Sequence, residues 1–256
     1  YTLSVHDALP IDTPSGVLNP VDKICPLLKS YGILTVVDTV TGMFAEELDI
    51  DASMIDIACG GSQKALSAPP GLTFVIVIKD AMEVMECRNT PVRSFYANLL
   101  AFKTYYEDKW FPYTMPASCI YGLRTALDNL IADTNHLYRH KCIASAVRRA
   151  LVAAGLELYL EDGYASSVTV INVPEGLEDS QILGRMRTGY GIMIAGCFDI
   201  LAGKVIRIGH MGNNANVTDV AETLDALGKV LTELGFKCKA GMKEIFLNSL
   251  EAEMVV

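Results

Sequence analysis

The chain has 256 residues, of which 51% are hydrophobic and 20% charged, and this composition excludes a disordered protein. Its formal net charge of −9 argues against nucleic acid and anionic membranes as partners, because both would repel such a surface. The apolar runs are too short to cross a bilayer, and the seven cysteines lack metal-type spacing. We therefore expect a cytoplasmic protein with reduced thiols and no bound metal.

The first eleven residues, YTLSVHDALPI, differ in character from the rest of the chain. They begin at Tyr1 and resemble, apart from one residue, a common sequencing adapter translated in one frame. They carry no hydrophobic period, basic region or cleavage pattern, so they do not form a signal peptide. We expect residues 1–11 to be foreign to the fold, and we exclude His6 and Asp7 from the functional argument. The other interpretation is a genuine N-terminal loop.

Residues 12–115 alternate short strands with a helix, which predicts an α/β sheet. The predicted elements, in chain order, are a turn at 12–16, a helix at 21–31 with Val21, Ile24, Leu27 and Leu28 on one face, and strands at 33–37, 55–58 and 72–78. Ligands of such sheets bind beyond the carboxyl ends of the strands. Asp38 and Lys64 both follow strand ends, so we expect them at one edge of the sheet.

Two helical patterns follow at 116–155, and we interpret these residues as interdomain helices. The first helix has an apolar stripe that we expect to be buried, made of Ile120, Leu123, Ala126, Leu127, Leu130 and Ile131. Residues 156–256 predict a small C-terminal domain, with strands near 156–160, 168–173 and 204–208 and helices at 180–188 and 218–234. The long helix begins after Asn216 and stops at Gly235.

Lys64 and Asp38 are the candidates for chemistry. A lysine at the rim of a sheet is costly to keep charged, and desolvation makes its amine nucleophilic towards an aldehyde. The simpler alternatives are a surface lysine in a loop and an aspartate that caps a neighbouring backbone group. Together the two residues fit a division of labour in which the lysine carries a cofactor as an imine and the carboxylate keeps a pyridine nitrogen protonated. If they only form a structural ion pair, the chain is a non-catalytic interaction domain.

Three motifs occur in a fixed order: VVDTVTG at 36–42, GSQKALSAPPG at 61–71 and VIRIGHMG at 205–212. With them the chain resembles the class V aminotransferases over residues 12–240, in particular the alanine–glyoxylate (serine–pyruvate) group and relatives that act on pyridoxamine or ureidoglycine. The resemblance implies pyridoxal 5′-phosphate as cofactor, a homodimer, and an aspartate-aminotransferase-like fold (fold type I). The α/β fold would comprise an incomplete large domain at 12–115, with a mixed, mostly parallel sheet, and a small C-terminal α+β domain.

The resemblance also implies roles around the cofactor ring. Lys64 would hold the cofactor as a Schiff base and move the proton, while Asp38 would pair with the pyridinium nitrogen. Val40 would pack against one ring face. Ser62 and Gln63 would help to seat the phosphate or the ring.

Three further roles follow from the same resemblance. Thr13 matches a hydroxyl residue near the phenolic oxygen of the ring. Arg207 matches the arginine that binds the substrate carboxylate, to which the planar fork of a guanidinium is suited; the alternative is an ordinary edge-strand arginine. Thr114 matches a threonine that reaches the cofactor phosphate of the other subunit. The family often has an aromatic hydroxyl where this chain has Phe111, a departure for which Tyr113 would compensate.

The remaining polar residues predict no further site. His210 either lines the pocket or packs beside Met211, and we favour packing. His136 and His140 lie four residues apart, which predicts an exposed helix face. A solvated loop, rather than a metal site, is predicted for the acidic residues Glu46, Glu47, Asp49 and Asp51.

The resemblance implies a ping-pong transamination in which an amino acid gives its amino group to a small 2-oxo acid, glyoxylate or pyruvate. The main alternative is a pyridoxamine–pyruvate aminotransferase with free pyridoxamine or pyridoxal as substrate. Family members have a long segment before the DTPSG region and a histidine where this chain has Pro10. We therefore expect an N-terminally truncated chain that binds cofactor poorly and is inactive or aggregation-prone, because the absent strands leave apolar sheet edges unpaired.

Overall fold

The structure is a computed structural model that describes residues 7–254. Its strands are β1 (Asp7–Ala8), β2 (Ile11–Asp12), β3 (Val17–Leu18), β4 (Val36–Asp38), β5 (Ile57–Gly61), β6 (Thr73–Val77), β7 (Val168–Asn172) and β8 (Val205–Gly209). Its α-helices are α1 (Val21–Ser30), α2 (Lys79–Glu86), α3 (Ala117–Ala132), α4 (His136–Ala153), α5 (Asp179–Tyr190), α6 (Val217–Glu233) and α7 (Met242–Met254). Short 3₁₀ helices lie at Leu99–Phe102, Asp199–Leu201 and Gly212–Asn214.

The main sheet has the strand order β1-β4-β5-β6. Strand β4 is parallel to both β1 and β5, whereas β6 runs antiparallel to β5. This confirms the predicted mixed, mostly parallel sheet. Two smaller antiparallel pairs, β2 with β3 and β7 with β8, complete the sheets of residues 7–254.

Residues 7–11, the described part of the segment expected to be foreign, are built into this fold. Asp7 and Ala8 pair with Val36 and Val37 of β4, and Ile11 is only 1% exposed. The hydroxyl of Thr41 donates a hydrogen bond to the Ile11 carbonyl oxygen at 3.2 Å. Asp7 and Ala8 are therefore paired through their backbone and Ile11 is buried, while the foreign origin of residues 1–11 stays a prediction. Residues 1–6 lie outside the described part of the chain.

Strand β4 begins later than the apolar run at 33–37 predicts. The reason is Asp56, which is fully buried just before β5. The Asp56 carboxylate accepts the backbone N–H of Thr35 at 2.8 Å, so Thr35 does not donate to a neighbouring strand. The same carboxylate binds the Lys29 amine at 2.7 Å. Helix α1 matches the predicted helix at 21–31, but it buries Val21 and Cys25 rather than Leu27.

Helix α3 lies where it was predicted, but its apolar stripe is mostly open. Only Ala126 of the stripe is buried, while Ile131 is 75% exposed. The prediction of a fully buried stripe is wrong because, among the described residues, the stripe packs on a small cluster that includes Leu66 and Ala68, and this cluster leaves Ile120 and Ile131 exposed. Strand β6 is similarly open, with Val75 and Ile76 exposed.

The largest hydrophobic core joins α4, α5, α6 and α7 to the β7–β8 pair. Helix α6 begins as predicted, because the Asn216 side chain accepts the Asp219 backbone N–H at 2.8 Å. It ends before Gly235, whose φ of +95° suits glycine. The strand expected near 156–160 is reduced to one bridge between Leu158 and Ile171. Helix α7 has no counterpart in the predicted elements.

No helix within residues 7–254 has both the length and the apolar character that a membrane crossing requires. The same residues contain no group of three or more metal-ligating side chains that would hold an ion.

Candidate active site

Asp38 lies at the carboxyl end of β4 and is exposed. Its Oδ1 accepts the backbone N–H of Val40 at 2.9 Å, which orients the carboxylate. Its Oδ2 makes no hydrogen bond or ion pair within residues 7–254. A carboxylate oxygen at the sheet edge therefore remains open to a donor from a ligand.

Lys64 follows the carboxyl end of β5, in a tight turn whose Lys64 carbonyl accepts the Ser67 N–H at 2.8 Å. The side chain is half-buried, and its amine makes no ion pair in the described chain. In particular, no salt bridge joins Lys64 to Asp38, so the structural ion pair of the non-catalytic alternative is not observed. Because β4 and β5 are parallel, their carboxyl ends bring both residues to one edge of the sheet.

Ser62 shapes the lysine loop, residues 62–70, from inside. It is fully buried, and its hydroxyl donates to the Pro69 carbonyl oxygen at 2.7 Å. Its backbone N–H donates to the Leu72 carbonyl at 3.1 Å, and its carbonyl accepts the Ala68 N–H at 3.0 Å. The Ser62 hydroxyl is thus engaged within the loop and acts on the position of Lys64 through the loop.

A recess at Gly61 lies between Val40 and Gln63. A Cβ on Gly61 would lie 3.4 Å from Val40 Cγ1 and 2.9 Å from Gln63 Oε1. A larger residue would therefore fill the space between these two side chains. The Asp38 carboxylate and the Lys64 amine, which follow adjacent parallel strands at the same sheet edge, are groups whose chemistry suits a ring with a basic nitrogen and an aldehyde.

Arg207 lies on β8 and reaches the turn at 12–16. Its Nε donates to the Gly196 carbonyl at 2.8 Å and its Nη1 to the Thr13 carbonyl at 3.3 Å, and its guanidinium lies 5.8 Å from the Phe198 ring centroid. The two hydrogen bonds aim the guanidinium, while Nη2 makes none among residues 7–254. The structure therefore brings Arg207 and Thr13 together, although the contact uses the Thr13 backbone. No carboxylate of the described chain pairs with Arg207.

Thr114 is exposed and makes no side-chain hydrogen bond in the described chain. Beside it, the Tyr113 hydroxyl donates to the Phe95 carbonyl at 2.7 Å, and its ring contacts Phe111 at 6.2 Å between centroids. The structure does not bring Thr114 to the other predicted site residues within one chain.

Glu46 is buried rather than solvated, so the prediction of a solvated loop is wrong at this residue. Its carboxylate accepts hydrogen bonds from the backbone N–H of Ser166 and from the Ser166 hydroxyl, the latter at 3.0 Å. Burial raises the pKa of Glu46, and the hydrogen bonds from Ser166 oppose this only in part. Glu47, by contrast, is exposed and pairs with Lys141 at 3.0 Å.

His210 is fully buried, which agrees with packing rather than pocket lining, but it packs through polar contacts. Its Nδ1 donates to the Ser166 carbonyl at 3.1 Å, and its Nε2 lies 2.9 Å from the Thr169 hydroxyl. Burial, assisted by the charge of Arg148, lowers the pKa of His210 to about 3. The ring is therefore neutral at physiological pH, and Ser166 links it to Glu46.

His140 is 1% exposed, so the predicted exposed face is wrong for this residue. Its Nδ1 lies 2.6 Å from the His136 carbonyl oxygen and must donate, whereas its Nε2 accepts the Gly212 N–H at 2.9 Å. These two partners require the neutral ring, and burial lowers the pKa of His140 in the same sense. No sequence signal distinguishes His140 from His136, because the same helical spacing contains both.

The solved structures that share this fold include two aminotransferases. The ureidoglycine–glyoxylate aminotransferase of Bacillus subtilis matches with a TM-score of 0.91 and 27% identity, over 95% of this chain and 64% of that chain. The pyridoxamine–pyruvate aminotransferase of Mesorhizobium loti matches with a TM-score of 0.92 and 29% identity, over 97% of this chain and 65% of that chain. The fold is that of the fold type I, pyridoxal-phosphate-dependent aminotransferases, as predicted.

Residues 7–224 match the family described as Aminotransferase class-V, and the chain belongs to this family. An uncharacterized aminotransferase of Methanocaldococcus jannaschii is 40% identical over 239 residues, which are 91% of this chain and 61% of that protein. The chain thus spans about three-fifths of the length of the curated relatives it matches. The matched region includes residues 7–11, consistent with their place in the sheet.

Proposed function

We propose that the protein is an aminotransferase that uses pyridoxal 5′-phosphate to transfer an amino group from an amino acid to a small 2-oxo acid, glyoxylate or pyruvate. The observation that carries the proposal is that an unengaged Lys64 amine and an open Asp38 carboxylate lie at the same edge of the sheet. Membership of the class V family supports it. We also propose a cytoplasmic homodimer, in which Thr114 reaches the phosphate bound by the other subunit.

Each residue near Gly61 would make a different contact with the cofactor. Lys64 would hold it covalently through Nζ, Asp38 would accept a hydrogen bond from its ring nitrogen, and Val40 would pack against one face. Gln63 lies across the Gly61 recess from Val40, and Thr13 would contribute its hydroxyl near the ring. When bound, the cofactor withdraws electrons from the carbon that bears the substrate's amino group.

Arg207 and Lys64 would perform the steps that belong to the protein. The unused guanidinium edge of Arg207 matches a planar carboxylate, and two parallel hydrogen bonds fix the orientation of the substrate. The free Lys64 amine would take the proton from the carbon that bears the substrate's amino group and would hold it at Nζ until it is returned to the reacting molecule. Because both substrates are 2-substituted carboxylates, one arginine serves the donor and the acceptor in turn.

A second candidate function is pyridoxamine–pyruvate transamination, with free pyridoxamine as a substrate. It is favoured by the similarity to the Mesorhizobium loti structure. The engagement of the Ser62 hydroxyl with Pro69 also leaves one fewer donor for a phosphate group. Turnover of unphosphorylated pyridoxamine with pyruvate, without added pyridoxal phosphate, would distinguish this function from the first.

The test of the proposal is covalent trapping. The chain is incubated with excess pyridoxal phosphate, reduced with borohydride and mapped by peptide mass spectrometry, which detects the adduct even when affinity is low. We expect the label on Lys64, together with a visible absorbance band that Lys64→Ala removes. The matched control is Lys79→Ala, because Lys79 is a surface lysine paired only with Glu83. Equal labelling of all lysines, or a band that persists in Lys64→Ala, would reject the proposal.

A further inference from the structure

The lysine loop, residues 62–70, contacts the end of the arginine strand at Gly212. The Ser67 hydroxyl oxygen accepts the backbone N–H of Asn213 at 2.9 Å. Gly212 lies directly against the same loop, since a Cβ on it would clash with Ser67 Oγ and lie 2.6 Å from the Ala65 carbonyl oxygen. Gly212 has a φ of +60°, so both its conformation and its surroundings require glycine.

The opposite side of this turn is bound by helix α4. The Gly212 N–H donates to Nε2 of His140 at 2.9 Å, and the His140 ring is itself held by the His136 carbonyl at 2.6 Å. His140 is buried, so water does not compete for this hydrogen bond. The turn after β8 is therefore held between helix α4 and the loop that carries Lys64.

The two contacts link the elements that carry the reacting groups. Arg207 lies five residues before Gly212 on the same strand and turn, and Lys64 precedes Ala65 directly. We propose that Ser67 and His140 are positioning residues, which clamp the Gly212 turn and so set the separation between the Lys64 amine and the Arg207 guanidinium. This inference rests on the proposed function for its catalytic meaning, but the clamp itself is a property of the fold.

The clamp has a consequence for substrate choice. In a 2-amino acid, the carboxylate bound by Arg207 and the amino group handled at Lys64 are attached to the same carbon. A fixed separation of the two side chains therefore selects this geometry over amines whose amino group lies one carbon further from the carboxylate. Misplacement of reacting groups by about 1 Å costs on the order of a hundredfold in rate.

The first experiment measures amide hydrogen exchange in the cofactor-free chain by NMR. Ser67 is exposed, so Ser67→Ala removes the acceptor without endangering the core. We expect the Asn213 amide to exchange about fivefold faster, the factor that one ordinary hydrogen bond contributes, with a parallel increase in the lysine loop. The matched control is Ser94→Ala, which removes a similar acceptor of the Ala97 N–H outside the site. Unchanged exchange at Asn213 and in the lysine loop would overturn the clamp.

The second experiment compares two substitutions at His140. His140→Gln keeps an acceptor near the position of Nε2, whereas His140→Leu removes it at similar volume. We expect the amides of Gly212 and the lysine loop to exchange hydrogen faster in His140→Leu than in the parent. In His140→Gln we expect their exchange rates to return towards those of the parent. Urea unfolding of both variants identifies any general loss of stability. If both variants unfold like the parent and the loop exchanges equally in both, His140 is not a positioning residue.

The third measurement separates the clamp from the proposed function. In Ser67→Ala we expect borohydride trapping at Lys64 to stay within about twofold of the parent, because Ser67 is not among the residues that would hold the cofactor. In protein that also contains the N-terminal segment expected from the family resemblance, discrimination between alanine and β-alanine in kcat/KM should fall on the order of tenfold. No trapping at Lys64 in the parent would reject the proposed function, while the exchange data would still decide the clamp. Normal trapping with undiminished discrimination in Ser67→Ala would reject the clamp alone.

Discussion

Glu46 accepts two hydrogen bonds from Ser166, one from the backbone N–H and one from the hydroxyl, although 120 residues separate them. Ser166 in turn accepts a hydrogen bond from His210, two residues before Gly212. These contacts bind the segment that follows Asp38 to the strands β7 and β8. The position of Arg207 relative to the sheet edge thus depends on buried polar contacts as well as on apolar packing.

Removal of the Glu46 carboxylate should destabilise the fold. Glu46→Ala leaves the buried N–H and hydroxyl of Ser166 without an acceptor, and we expect a loss of about 2–4 kcal/mol in the free energy of unfolding. Glu46→Gln retains an amide oxygen, so its loss at neutral pH should be about 1 kcal/mol. Urea denaturation measures both. Equal losses for the two variants would contradict the role of the carboxylate as an acceptor.

Glu46 should also make stability depend on pH in a defined direction. Because its folded pKa is raised above 4.5, the folded state binds more protons than the unfolded state just above that pH. The contribution of Glu46 is therefore fully present below pH 4.5 and is lost as the pH rises through the folded pKa. Glu46→Gln does not ionise, so the stability difference between parent and variant should shrink as the pH rises. A difference that grows with pH would contradict this assignment.

His210 should act in the opposite direction. Its folded pKa of about 3 lies below the ordinary 6.5, so the unfolded chain binds the extra proton between these values and stability falls as the pH is lowered. The full shift corresponds to roughly 5 kcal/mol. We expect the free energy of unfolding of His210→Gln to depend less on pH between 6 and 4. His136→Gln, at a half-buried histidine on α4, is the control; equal slopes in His210→Gln and the parent would refute the prediction.

Substitution of Arg207 should separate substrate binding from cofactor attachment. Arg207→Lys keeps the charge but cannot make two parallel hydrogen bonds to a carboxylate, and we expect kcat/KM for both the amino acid and the 2-oxo acid to fall about a hundredfold. Trapping of pyridoxal phosphate at Lys64 should be unchanged. Steady-state kinetics of the full reaction, with each substrate varied in turn and with protein that also contains the N-terminal segment expected from the family resemblance, measure the effect. A loss confined to one substrate would show that Arg207 does not serve both.

Asp38→Asn tests the charge of the carboxylate with little change in shape. The amide oxygen still accepts the Val40 N–H, so we expect the thermal stability of the fold to stay the same. The uncharged side chain no longer favours a protonated ring nitrogen, so the single-turnover rate of amino transfer should fall on the order of a hundredfold or more. A rate equal to that of the parent would exclude pairing of Asp38 with the ring.

Several features of this protein were accessible from local sequence patterns. The apolar spacing at 21–31 and the Asn216 cap predicted helices that the structure contains, because helix formation depends on residues within a few turns. The ordered motifs around Asp38, Lys64 and Arg207 predicted the family. The order of strands and crossovers predicted an α/β sheet, and the family resemblance implied that it is mixed.

Other features required the tertiary structure. Glu46 and Glu47 are adjacent and chemically identical, yet one is buried against Ser166 and the other pairs with Lys141 at the surface. His136 and His140 also differ in burial: His140 is buried and accepts the Gly212 N–H, whereas His136 is half-buried. Sequence periodicity reports which face of an element a residue occupies. It does not report which distant segment covers that face, and this contact decides whether a polar side chain is solvated or buried.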